Sequence, residues 1–187
     1  ARKRALGLDA PLTAVFMGSA HPPNAEAVRV LAQFAAERPA YAFLVLGSIC
    51  QDPVCRSLPA NVHALGLLSE AEKKVVLTAA DVGLNPMLSG SGSNLKMLDY
   101  MASGLPVLTT PFGARGIAVA DGEHVIERSG DRFAAGLDTV ASMPVGECDA
   151  MAAAARRLVE SSYSWRAAAA VLAEHLPPEA SQRSGEH

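Results

Sequence analysis

The stretch that most constrains this chain runs from residue 85 to residue 110, NPMLSGSGSNLKMLDYMASGLPVLTT. It reads as the end of a buried strand, a glycine-serine loop, an amphipathic helix and a second apolar strand. Gly90 and Gly92 alternate with Ser89, Ser91 and Ser93. Backbone N–H groups in such a loop can approach an anion without crowding by Cβ atoms. The loop leads straight into the helix, with Ser93 or Asn94 as its N-cap. The first helical turn adds unpaired N–H groups and partial positive charge, and Lys96 adds a full charge within that turn. Together these parts make a phosphate cradle. A branched side chain in place of Gly92 is expected to crowd the cradle and impair phosphate binding most, and Gly92 is expected at positive φ. Asp99 follows about 7 Å along the axis from the helix start. A carboxylate there can accept two hydrogen bonds from the hydroxyls of a ribose whose phosphates lie on the loop. The loop is neither a Walker A motif, which needs G-K-[ST], nor the G-x-G-x-x-G fingerprint, because Leu95 stands at its last position.

The flanking sequence places this unit within a repeating strand–helix order. Apolar runs at 12–18, 41–47, 62–65, 81–85 and 107–110 read as strands. Helices are expected at 23–37, from 70 to 79 behind a Ser69/Glu72 capping box, and at 131–141. Two more are expected within 147–176, broken near 161–164. Residues 51–61 read as an irregular connector, and 117–119 and 124–127 as short extended pieces. Continuous apolar strands alternating with helices argue α/β, a doubly wound Rossmann-like parallel sheet in a single domain over residues 12–176. Residues 1–11 read as a linker tail and 177–187 as a polar tail.

Net charge −3 argues against nucleic acid as a partner. Cys50, Cys55 and Cys148 are an odd number without zinc spacing, which points to reduced structural thiols, no metal site and a cytoplasmic location. No apolar run reaches membrane-spanning length and no leader pattern opens the sequence. The chain begins with Ala and starts almost on a strand, so it reads as a piece of a longer protein.

GSGSNLKMLDYMASGLPVLTT resembles the donor-binding motif of group-1, glycogen-synthase-like glycosyltransferases of the GT-B fold. In that pattern two acidic residues stand eight apart. Asp99 falls on the second, YMASGLPV follows the remainder, and Ser91 occupies the first. FMGSAHPPNAEAV is similar to the family's first strand and loop, and SYSW to the start of its final helices. The resemblance implies the C-terminal half of a GT-B fold, binding a nucleotide-sugar donor. The acceptor, a saccharide or another group, would be held by a separate N-terminal domain. It further implies retaining transfer of a hexosyl type without metal or cofactor. Little turnover is expected from this half alone, and peripheral membrane association would belong to the full-length enzyme.

Donor-binding residues implied in this way are Gly18, Ser19, His21, Leu67, Ser89, Gly90, Ser91, Gly92, Ser93, Asn94, Lys96 and Asp99. Lys96 is the catalytic candidate, as the charge facing the departing diphosphate. Gly18 and Ser19 permit close approach from the opposite loop. His21 stands where family members often carry a basic residue, and a surface loop histidine is the competing reading. Residues 65–67 (LGL) offer backbone groups and apolar contact to a nucleobase. Arg115 is expected to be exposed, with phosphate contact the lesser reading; Met87 and Met97 are expected in the core, and Trp165 is expected to anchor the return towards the other domain. Two rival readings remain. Phosphorylases carry a similar S-G-x-G-N-M-K stretch whose lysine holds pyridoxal phosphate. A non-catalytic interaction domain is suggested by Ser91 in the acidic position.

Overall fold

Five short runs pair side by side; the inner ones are apolar on both faces and covered on both, while the edge strand formed by residues 62–66 is exposed at His63, Ala64 and Leu65. They are β1 (Thr13–Met17), β2 (Ala42–Leu46), β3 (Val62–Gly66), β4 (Val82–Asn85) and β5 (Val107–Thr109), with β6 (Ile126–Glu127) at the edge. All neighbours are parallel, in the order β3-β2-β1-β4-β5-β6. The chain steps outward from β1 to β3, then returns to the centre and steps outward the other way. The computed structural model describes residues 9–92 and 94–175. Most of the expected linker tail (residues 1–8), the polar tail at 177–187 and Ser93 lie outside the described residues.

Alternation along the strands divides the core into two layers. Ala14, Phe16, Phe43, Val45, Val82, Leu84 and Leu108 face one way, towards α1 (Pro22–Ala36). Val15, Leu44, Leu46 and Val107 face the other way, towards α2 (Glu70–Ala79) and α3 (Leu95–Ala102). The chain continues through α4 (Pro111–Ala114), α5 (Phe133–Ser142), α6 (Val145–Ser162) and α7 (Trp165–His175). α5 joins the first layer through Phe133, Leu137 and Val140, and α6 joins the second through Ala155 and Val159.

α3 is set against the sheet by one residue. Tyr100 is fully buried, and its ring lies over Gly83, where an added Cβ would come within 2.5 Å of the ring. Its hydroxyl accepts a hydrogen bond from the Met17 N–H at 2.8 Å. The helix that follows the glycine-serine loop is thereby tied to the last residue of β1. At the other end of the molecule, the Asn61 amide nitrogen lies 3.0 Å from the carbonyls of Ala35, Arg38 and Tyr41. It closes the C-terminal end of α1, where helical carbonyls have lost their own partners.

Two expectations change. Residues 51–61 are more regular than predicted, with 3-10 turns at Ser48–Gln51 and Pro53–Arg56, the second capped by Asp52. Residues 117–119 join no strand. Ile117 and Val119 turn inward onto the second core layer, and the Ala118 N–H is taken by the Tyr163 hydroxyl at 2.7 Å. Trp165, expected to face the other domain, is 93% exposed among the described residues. The cysteines are free thiols. Cys50 and Cys55 donate to the Val45 and Ile49 carbonyls, and burial pushes the Cys55 thiol up to about 11. Among the described residues no helix is long and apolar enough to cross a membrane.

Candidate functional site

Strand order reverses between β1 and β4, so the loops leaving their C-terminal ends diverge to opposite faces and leave a crevice. A cleft of about 620 Å³ occupies that place. Gly18, Ser19 and His21 line it from the β1 side. Ser89 to Gly92, Asn94, Lys96 and Asp99 line it from the β4 side, and Leu67 lines it from beyond β3. Each described donor-binding candidate is therefore brought to this one cleft; Ser93 is not described.

Lys96 sits in the first turn of α3 and reaches across the cleft floor. Its Nζ donates to the Asn24 Oδ1 at 2.8 Å, lies 3.5 Å from the Met87 sulfur, and stands 4.3 Å from the centroid of the Phe16 ring. None of these partners is anionic. Desolvation pushes the Lys96 ammonium down from 10.5 to about 7. Burial without a counter-ion favours the neutral amine, and an anion entering the cleft would favour the charged form. Asp99, three residues on, does not pair with Lys96. Its carboxylate is half-exposed and lies 3.6 Å from the Nζ of Lys73, which is also 2.9 Å from Glu70.

The loop itself is held on two sides. The Ser89 hydroxyl donates to Glu26 on α1 at 2.6 Å. Arg115 donates to the carbonyls of Gly90 and Gly92 and stacks on Phe112, with 3.7 Å from its guanidinium carbon to the ring centroid. Arg115 is thus half-buried rather than exposed, because two otherwise unpaired loop carbonyls draw its guanidinium inward. The tight glycine is Gly90, not Gly92. Gly90 has φ +119°, and an added Cβ would lie 3.3 Å from the Pro23 ring, whereas one at Gly92 would meet open space. The positive φ expected at Gly92 is found at Gly90 instead, since the side facing α1 is the one the loop packs on.

Asn94 stands at the N-cap, but its side chain caps nothing. Its amide nitrogen donates to the Gly113 carbonyl at 2.8 Å, and this ties the loop to the corner between β5 and α4. On the opposite side, α1 starts with Pro22 and Pro23, which have no N–H to offer. His21 forms its exposed N-cap. Its carbonyl accepts from the Asn24 and Ala25 N–H groups at 2.9 and 3.2 Å. The donors of that helix end are therefore already used, and the charge for an anion comes from α3. Leu67 and Leu95 are 70% and 65% exposed at the rim and supply apolar surface. Met87 and Met97 are both buried.

Sequence reading passed over Asn24 and Lys73. Asn24 is 9% exposed, and its amide nitrogen donates to the Ser19 carbonyl at 3.0 Å while its oxygen accepts from the Lys96 Nζ. A buried polar residue one turn into an otherwise apolar helix face was the available signal. Lys73 carried none, because its neighbours Lys74 and Glu72 make an ordinary solvated face.

A parallel doubly wound sheet with its cleft at the strand-order reversal is the architecture in which open α/β sheets bind ligands beyond their strand ends. Residues 11–161 match the family model described as glycosyl transferases group 1, and the chain belongs to that family. Solved structures agree on the fold. The C-terminal domain of the group 1 glycosyl transferase LpcC from Francisella tularensis is 16% identical with TM-score 0.66, over 88% of this chain and 92% of that one. HepE from Anabaena, in complex with UDP and glucose, is 16% identical with TM-score 0.74, over 92% of this chain and 50% of that one. A sucrose-phosphate synthase from Thermosynechococcus elongatus is 20% identical with TM-score 0.73, over 92% and 47%. The chain thus spans about half the length of the last two. No curated protein matches its sequence.

Proposed function

We propose that this domain binds the nucleoside diphosphate of a sugar donor in the β1/β4 cleft and presents the sugar for transfer. The carrying observation is Lys96, a desolvated lysine whose Nζ meets an amide oxygen, a thioether and a ring face but no carboxylate. A diphosphate supplies the missing counter-charge. The N–H groups of Leu95 and Lys96 at the start of α3, uncapped by the Asn94 side chain and without an acceptor among the described residues, add to it. Asp99 is placed one turn further on, where ribose hydroxyls can displace its loose contact with Lys73. Exposed Leu67 offers its side chain to the base.

In the transfer, the bond between the anomeric carbon and the diphosphate oxygen breaks, the acceptor hydroxyl oxygen bonds to that carbon, and its proton passes to the departing diphosphate. Negative charge grows on the departing diphosphate, and Lys96 is positioned to stabilise it. Family kinship extends the proposal to retaining transfer of a hexosyl group without a metal ion or further cofactor. The acceptor would come from a separate N-terminal domain, so this chain binds donor but turns over little. That UDP and glucose were captured in HepE supports UDP as the first nucleotide to try.

Titration calorimetry with UDP, GDP and ADP in the presence of EDTA tests the reading. Binding of at least one is expected. Binding that appears only on adding Mg²⁺ or Mn²⁺ removes the metal-independent reading. No binding at all favours a non-catalytic interaction domain, the alternative that Ser91 suggests.

A further inference from the structure

Arg115 is absorbed by no step above, yet it makes three hydrogen bonds at the mouth of the cleft. One guanidinium nitrogen donates to the Phe112 carbonyl at 3.1 Å. Another reaches the Gly90 carbonyl and, at 3.1 Å, the Gly92 carbonyl. Its face lies on the Phe112 ring, so the guanidinium plane is fixed as well as its position. Among the described residues no carboxylate pairs with it.

We propose that Arg115 is a positioning residue that holds the glycine-serine loop with its N–H groups, rather than its carbonyls, presented to the donor's diphosphate. A glycine-rich loop can rotate its peptide units at little steric cost. Each rotation exchanges a carbonyl for an N–H at the anion. In a trans peptide the two point in opposite directions, and there are no cis peptides among the described residues. Holding the Gly90 carbonyl on Arg115 therefore turns the Ser91 N–H the other way. The guanidinium also withdraws two carbonyl dipoles that would repel a phosphate and leaves net positive charge beside the loop. Contacts from Glu26 to Ser89 and from Pro23 to Gly90 hold the near end of the loop, so Arg115 controls its far end. A lysine cannot bridge two carbonyls and stack in the same geometry. The inference rests on the donor reading.

The test uses Arg115→Met and Arg115→Lys in this chain. It combines calorimetry with UDP and with uridine and ¹⁵N relaxation of the Ser91 and Gly92 amides without ligand. Urea midpoints establish that both variants fold. In the parent the loop amides should have order parameters near 0.85, falling below about 0.6 in Arg115→Met. UDP affinity should drop at least tenfold in both variants while uridine affinity stays within twofold. Full recovery of UDP affinity in Arg115→Lys would show that charge alone matters and would overturn positioning. Unchanged UDP affinity and unchanged loop order in Arg115→Met sink this inference alone. A parent chain that binds no nucleoside diphosphate sinks the donor reading and this inference together.

Discussion

Lys96→Met should stabilise the free protein while crippling its binding of diphosphates, and the structure sets the size of both effects. Each tenfold change in proton affinity is worth about 1.4 kcal/mol. Lys96 falls from 10.5 to about 7, so carrying its charge at that position costs on the order of 5 kcal/mol. The folded-state value is depressed, so between about pH 7 and 10.5 the unfolded chain binds a proton that the folded chain does not. Stability from this group is therefore fullest above 10.5, declines as pH falls through the window, and levels off below 7. Methionine removes that penalty and keeps contact with Phe16 and Met87. It also leaves the Asn24 oxygen without the lysine donor, at a cost of about 1–3 kcal/mol. Urea unfolding followed by circular dichroism should show the variant more stable by about 1–3 kcal/mol at pH 7. That advantage should shrink by roughly 2 kcal/mol at pH 9. For UDP, loss of a charge-assisted contact worth about 1.5–3 kcal/mol predicts a roughly tenfold to hundredfold weaker complex, with uridine unaffected. The parent should take up a proton on binding UDP above pH 7, visible as a buffer-dependent heat, and the variant should not. A variant less stable than the parent at pH 7, or a stability difference equal at pH 7 and 9, would refute the argument that Lys96 is held against its own solvation.

Asp99→Asn keeps shape but weakens acceptance from ribose, so UDP and uridine should lose affinity by similar factors. A loss confined to UDP in the same calorimetric titrations would place Asp99 with the phosphates instead. Gly90→Ala forces a side chain into φ +119° and against Pro23, costing about 1–3 kcal/mol and weakening UDP binding. Gly92→Ala should be close to neutral in both unfolding and titration, and the reverse ranking would contradict the loop geometry. Tyr100→Phe leaves the ring over Gly83 but deprives the Met17 N–H of its acceptor, for a loss of about 1–3 kcal/mol in urea unfolding. Asn61→Ala uncaps the end of α1 and should cost a similar amount by the same measurement, about 1–3 kcal/mol; no loss would mean that water replaces the amide.

What the sequence determined by itself was local in origin. Strand and helix order follows from apolar runs and their periods, and the capping box at Ser69 and Glu72 forms as its spacing predicts. The loop that feeds α3 is legible from alternating glycine and serine, since small residues before a helix leave few other conformations. The neighbourhood of each charge was not legible. Lys96 meets Asn24 across 72 positions, and Arg115 meets Gly90 across 25. Nothing in either local window encodes those partners. The same limit hid which glycine takes the positive φ, since it is Gly90, beside Pro23 of α1, rather than Gly92. It also hid the inward turn of Ile117 and Val119, which depends on Tyr163 arriving from α6. A side chain's solvation and the direction of a carbonyl are properties of what surrounds them, and in this chain the surroundings come from distant segments that only the folded sheet brings together.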